Sequence, residues 1–160
     1  MTTRERPAVK VKERALRLLS VRSRSKSELR QRLLRSDFEP EEVDSALADL
    51  EAVGLIDDEE FARELAEHQR RKGLGRRAAL AGMRVKGVDR DLAERIAEEV
   101  SPEDEAERAA ELAAKRLPRL QGIEPEVRRR RLMDYLLRRG YDHQTALAAC
   151  IRAMAEEVFP

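Results

Sequence analysis

Residues 132–146, LMDYLLRRGYDHQTA, end one helix and begin another within fifteen positions. Leu132 and Leu136 recur at a spacing of four, which marks one face of a helix. Gly140 can close that helix in the left-handed conformation, and Asp142 suits the cap of the next. Tyr141 before the cap and Ala146 four places inside the new helix make a hydrophobic staple. The same frame stands at residues 79–93, ALAGMRVKGVDRDLA, and at residues 29–43, LRQRLLRSDFEPEEV. Ala79, Met83, Val88 and Ala93 take the four apolar places in one copy; Leu29, Leu33, Phe38 and Val43 take them in the other. Gly87 stands where Gly140 does, and Asp37 holds that place in the first copy. A frame that returns after 50 and then 53 residues is a repeat, and it contains no strand signal.

Working outward, Ser25-Lys26-Ser27-Glu28 reads as a capping box, Asp57 with Glu60 as a helix start, and Ser101-Pro102 as another. Pro40 supports a boundary at Glu39, a poorer cap. The expected helices are 12–21, 26–36 and 40–53; 58–71, 76–86 and 90–100; and 102–117, 125–139 and 143–157. The fold class is therefore all-α, with three tandem three-helix repeats over 12–55, 56–100 and 101–160, preceded by a flexible basic tail over 1–11. Three short helices bury little alone, so neighbouring repeats should share contacts, with Leu74 and Val53 helping to dock them, in an elongated, curved array.

Composition agrees. Of 160 residues 41% are charged and only 3% aromatic, and a single Cys excludes a disulfide framework. No apolar run could span a bilayer, and the N-terminus has no signal-peptide core, so a cytoplasmic protein is expected. The overall charge of +1 conceals sorted blocks: residues 10–36 carry +8, 37–67 carry −12, 68–90 carry +7, 91–111 carry −7 and 112–140 carry +6. Mixed helix-surface pairs would interleave their signs instead.

The basic blocks are the candidate partner- and DNA-binding patches: Arg22, Arg24, Lys26 and Arg30; Arg70, Arg71, Lys72, Arg76 and Arg77; Arg128, Arg131, Arg138 and Arg139. Arg128 to Arg131 run consecutively, so on a helix they cannot all face one partner. Aromatic stacking platforms for single-strand binding are scarce. Enzymatic chemistry finds no constellation: His68 and His143 lie in different repeats and read as surface residues, Cys150 as a small buried hydrophobe, and Gly73-x-Gly75 as a helix terminator rather than a phosphate loop. Asp57-Asp58 read as a helix cap with a second acid favourably placed beside it, and Phe61 as core. No catalytic residue, metal or cofactor is expected.

Leu18-Leu19, Arg22, Ser25, Glu28-Leu29 and Leu33 resemble the opening of the bacterial regulatory protein family RecX. Gly54-Leu55-Ile56-Asp57-Asp58, followed by Phe61-Ala62, is similar to that family's most recognisable signature. Lys72-Gly73-Leu74-Gly75, Gly87-Val88 and Leu136-Leu137-Arg138-Arg139-Gly140-Tyr141 continue the likeness in order, across residues 13–155. Ala79 departs from it, standing where the family has a larger aliphatic residue, and so does Val21, where Arg is common. The resemblance implies a crescent of three-helix repeats that binds the RecA recombinase, chiefly as its filament on single-stranded DNA. It also implies suppression of RecA's ATPase, strand-exchange and coprotease activities, by a monomer that contacts DNA phosphates as well. The alternative is a stand-alone nucleic-acid-binding protein with helix-turn-helix-like modules. Acidic third helices oppose it, because such modules read bases with their last helix.

Overall fold

The computed structural model describes the backbone of residues 5–158 and the side chains of residues 9–156. Among these, every regular element is helical: α1 Glu5–Val21, α2 Lys26–Leu34, α3 Pro40–Ala52, α4 Asp58–Arg71, α5 Arg76–Val85, α6 Arg90–Glu98, α7 Pro102–Arg116, α8 Pro125–Arg138 and α9 His143–Val158, with a 3-10 turn at Leu117–Leu120 after α7. The bounds of α2 to α9 lie within two residues of those expected. The first helix does not fit: it begins at Glu5 rather than near 12, so from Glu5 onward the expected tail is helix. Val11 and Ala15, one turn apart, are both fully buried. Pro7 falls in the first turn, where no intrahelical amide bond is required. Residues 1–4 of the expected tail lie outside the described residues.

The caps follow the sequence closely. Ser25 accepts the Glu28 amide at 3.1 Å and Ser101 the Asp104 amide at 3.0 Å. Asp57 accepts the Glu59 and Glu60 amides, both at 2.9 Å, while Asp89 and Asp142 accept the amides of Leu92 at 3.2 Å and Thr145 at 2.9 Å. The residue before each staple has positive φ: 59° at Asp37, 77° at Gly87 and 87° at Gly140. Tyr141 and Ala146 share one buried cluster, Val88 and Ala93 are both buried, and Phe38 packs half-buried at the edge of the core that holds Val43.

The chain forms two compact units, and their limits are not those of the repeats. The first runs to Glu64 and adds Met83–Ala93; the second comprises Leu65–Gly82 and the chain from Glu94 on. The first unit's core gathers Val11 and Ala15 of α1, Leu29 and Leu33 of α2, and Val43, Ala46, Leu47 and Leu50 of α3, closed by Ile56. In the second, Ala109, Ala110 and Ala113 of α7 and Ala146, Ala149 and Ala153 of α9 belong to one buried cluster with Leu132, Leu136 and Tyr141. These small side chains let α7 and α9 approach closely, in the most extensive helix pairing of the second unit.

Each unit holds one junction of the same design. In the first, the Ser25 hydroxyl donates to the Lys86 carbonyl, and the Lys26 amide donates to Asp58 Oδ1 at 2.7 Å. In the second, the Gly75 amide donates to the Arg139 carbonyl at 2.7 Å, and the Arg76 amide donates to Glu105 Oε1 at 2.8 Å. Asp58 thus caps α2, whereas the sequence suggested only a favourable acid at the start of its own helix. The approach at the second junction is backbone to backbone: a Cβ on Gly75 would lie 2.7 Å from the Gly140 carbonyl. Val53, expected to dock repeats, is instead 69% exposed, whereas Leu74 is half-buried.

Candidate functional site

The four candidate basic residues of the first unit are spent on its own carboxylates. Arg24 is 7% exposed; its Nε donates to the Leu18 carbonyl at 3.1 Å and its guanidinium pairs with Glu28. Arg22 pairs with the same carboxylate, and Arg32 reaches it at 3.2 Å. Burial pushes the Glu28 carboxyl up, but the hydrogen bonds from Arg22 and Arg24 outweigh that and hold it below the ordinary range. Glu28 therefore does not complete the expected capping box. Arg30 grips Asp44 with both forks, at 2.6 and 3.0 Å, and Lys26 meets Glu51 at 2.5 Å. Four of the candidate partner-binding residues are thereby occupied within the molecule.

The second unit differs. The C-terminal end of α4, the turn that follows it, α7 and the end of α8 enclose a cleft of about 510 Å³. Arg70, Arg71, Lys72, Arg108, Lys115 and Arg139 line it with Leu112 and Tyr141, against one carboxylate, Glu111. Gly73, at φ 73°, turns the chain there, so that Arg71 and Lys72 stand exposed at the rim. Among the described residues, no carboxylate lies within ion-pair distance of Arg71, Lys72 or Arg108. Arg70 pairs with Glu67 at 2.5 Å, and Lys115 stands at the 4.0 Å limit from Glu111. Arg139 braces the turn: its guanidinium donates to the Lys72 carbonyl at 2.7 Å and lies over the Tyr135 ring, 4.9 Å from its centre. Tyr141 sits behind it with its hydroxyl 3.5 Å from the Gly73 carbonyl, and burial pushes that phenol up to about 12.

Of the other candidates, Arg76 reaches Glu98 at 3.4 Å, and the side chains of Arg77, Arg131 and Arg138 are exposed without hydrogen bond or ion pair among the described residues, although the Arg77 amide donates to the Gly140 carbonyl at 3.1 Å. Arg128 is half-buried, so the run 128–131 does not form one face. Arg108 and Lys115 are absent from the sequence-based set. Arg108 stands singly among acids and alanines on α7 and Lys115 pairs in sequence only with Arg116 at the helix end, and only the packing of α7 against the Gly73 turn brings them beside Arg71 and Lys72.

The signature Gly54-Leu55-Ile56-Asp57-Asp58 with Phe61 and Ala62 serves structure: Ile56, Phe61 and Ala62 are buried and both acids cap helices, while Leu55 beside Gly54 is half exposed. His68 and His143 are exposed. Cys150 is fully buried, and desolvation pushes its thiol up to about 11. Among the described residues, no group of His, Cys, Asp and Glu could hold a metal ion, and no helix is long and apolar enough to cross a membrane.

Comparison with known proteins agrees with the order of these elements. Three family models match in succession: the first three-helix domain of RecX at residues 12–50, the second at 57–95 and the third at 103–149. The regulatory protein RecX of Amycolatopsis mediterranei (strain U-32) is 41% identical over 133 residues, which cover 82% of this chain and 76% of that one. That of Mycobacterium avium (strain 104) is 36% identical, over 89% of this chain and 83% of its own. The crystal structure of RecX from Lactobacillus salivarius superposes with a TM-score of 0.88 over 94% of this chain and 99% of that one; at 18% identity this likeness speaks for the fold. With three matched domains in order and relatives above 30% identity over most of both chains, this chain belongs to the RecX family of regulatory proteins.

Proposed function

We propose that this chain binds the RecA recombinase, chiefly as its filament on single-stranded DNA, and suppresses RecA's ATPase, strand-exchange and coprotease activities. In a cell this would limit recombination and the SOS response, in the cytoplasm, with no catalytic activity or cofactor of its own. The observation that carries the reading is a cation-rich cleft, in which Arg71, Lys72 and Arg108 have no carboxylate within ion-pair distance among the described residues, in a chain of the RecX family. A regulator acting on a nucleoprotein filament meets phosphates and protein together, and the cleft supplies charge for the phosphates. The helix-turn-helix alternative has less support, because α3 carries Glu41, Glu42, Asp44, Asp49 and Glu51, which would repel a duplex.

The test is binding of fluorescent protein to RecA filaments and to DNA-free RecA across a salt series, for wild type and for Arg70→Ala, Arg71→Ala and Lys72→Ala combined. The reading expects both targets to be bound, with the triple variant weakened on filaments. Each lost single-strand phosphate contact should lower the log–log salt slope by about 0.7. If the three residues face acidic RecA surface instead, DNA-free RecA is lost equally and the slope follows simple screening. Absence of binding to either form would remove the proposal.

A further inference from the structure

We infer that the cleft of the second unit is a binding site for the backbone of single-stranded nucleic acid, and that the corresponding place in the first unit has no such capacity. The inference rests on the phosphate reading above and deepens it by naming the strand form and the residues that select it. The two junctions can be compared position by position, because the same hydrogen bonds define both. Lys86 corresponds to Arg139, and the capping carboxylate Asp58 to Glu105. Three residues after the capping acid stands Phe61 in the first unit and Arg108 in the second. Ser20 and Val21 become Arg70 and Arg71. The second copy thus carries a cation at three places where the first has a neutral side chain.

The space changes with the charge. In the first unit the pocket beside Ser23, Phe61 and Glu64 holds only about 90 Å³ and presents Asp57, Glu60 and Glu64 to a single arginine, Arg24, already bound to Glu28. The Ser23 hydroxyl donates to Glu64 at 2.8 Å and closes it further. In the second unit the corresponding turn residue is Gly73, with no side chain, and the cleft is more than five times larger.

The cations stand at two depths. Arg71, Lys72 and Lys115 are exposed at the rim; Arg108 and Arg139 are half-buried within, beside Leu112 and Tyr141. A duplex is a stiff convex cylinder whose phosphates can meet only the rim. A single strand can bend its phosphates inward to Arg108 and lay sugar or base on the half-buried Leu112. An acidic protein segment is a different partner, but several of its carboxylates would have to enter one cleft together. A phosphodiester chain delivers one charge per residue whatever its sequence.

The experiment uses the full chain without recombinase, so its outcome is separate from that of RecA binding. Anisotropy of a labelled oligonucleotide of about 15 nucleotides, within the range of single-strand site sizes, is measured against salt, single-stranded and as duplex. Three proteins are compared: wild type, Arg108→Gln with Lys115→Gln, and Lys26→Ala with Arg30→Ala. Wild type should bind the single strand at least several-fold more tightly than the duplex at low salt. The cleft variant should lose about 1.4 from the single-strand slope, and the first-unit variant should match wild type. Glutamine keeps much of each stem, and circular dichroism confirms the fold. Equal affinity for both strand forms, an equal loss in the first-unit variant, or stronger competition by polyglutamate than by unlabelled oligonucleotide would each overturn the inference.

Discussion

The amide of Arg76 donates to Oε1 of Glu105 at 2.8 Å, so the first turn of α5 is closed by a carboxylate 29 residues further along the chain. The Lys26 amide and Asp58 repeat the arrangement at 2.7 Å. A helix start satisfied from a different helix joins the local fold of one repeat to the placement of the next, and it places a carboxylate where solvent is scarce. Burial, the main cause, raises the carboxyls of both Glu105 and Asp58 above their ordinary values, against the opposing hydrogen bonds from the amides.

A folded-state value above the unfolded one means that the folded chain holds the proton more tightly. The contribution is fully present below the unfolded carboxylate value of about 4.3 and is lost as pH rises through the raised value. Glu105→Gln, which cannot titrate, isolates it. Measured by urea midpoint, wild type should gain stability relative to Glu105→Gln as pH falls from neutral towards the acid range. Glu105→Ala, which removes the acceptor, should cost about 1 kcal/mol at neutral pH. A wild-type advantage that instead grows as pH rises would contradict the assignment.

Two glycines should respond differently to the same change. A Cβ at Gly75 meets the Gly140 carbonyl and the Tyr141 amide at 2.7 Å, and neither backbone can yield without parting the junction. Gly54 has nothing within 4 Å but a φ of 74°. Gly75→Ala should cost at least about 2 kcal/mol, and Gly54→Ala about 1 kcal/mol from backbone strain alone. Thermal melts of both variants check the order.

Among the staple positions, Phe38 is half-buried at the edge of its core, whereas Leu33 in the same core is fully buried. Leu33→Ala should cost about 3 kcal/mol, and Phe38→Ala less, although its ring is larger. Denaturant midpoints with unchanged slopes would confirm that both report on packing in the folded state.

Helix starts were legible because caps, staples and left-handed positions are local: Ser25, Asp57, Ser101 and Asp142 each act within three residues of their own place. The extra turns of α1 were not, because the basic stretch before Val11 shows no helix signal until Val11 is seen buried. The role of Asp58 was hidden for the same reason, since its partner Lys26 lies 32 residues away. Charge blocks gave the right residue types but not their state. Arg22, Arg24, Lys26 and Arg30 look as available in sequence as Arg71 and Lys72, and only tertiary packing sets Glu28, Asp44 and Glu51 against them. Arg108 falls in an acidic block, and Lys115 lies in the basic block 112–140 but away from its run 128–131, so the sequence does not single them out, yet they complete the cation-rich cleft of the second unit.

Regulation of RecA is tested most directly by the rate of DNA-dependent ATP hydrolysis of RecA filaments on single-stranded DNA, measured while this protein is titrated from substoichiometric amounts upward. The proposed function predicts that hydrolysis falls at fewer than one molecule per RecA protomer, and that the combined Arg70→Ala, Arg71→Ala and Lys72→Ala variant needs a higher concentration for the same effect. A hydrolysis rate unchanged at stoichiometric or greater amounts of folded protein would contradict it.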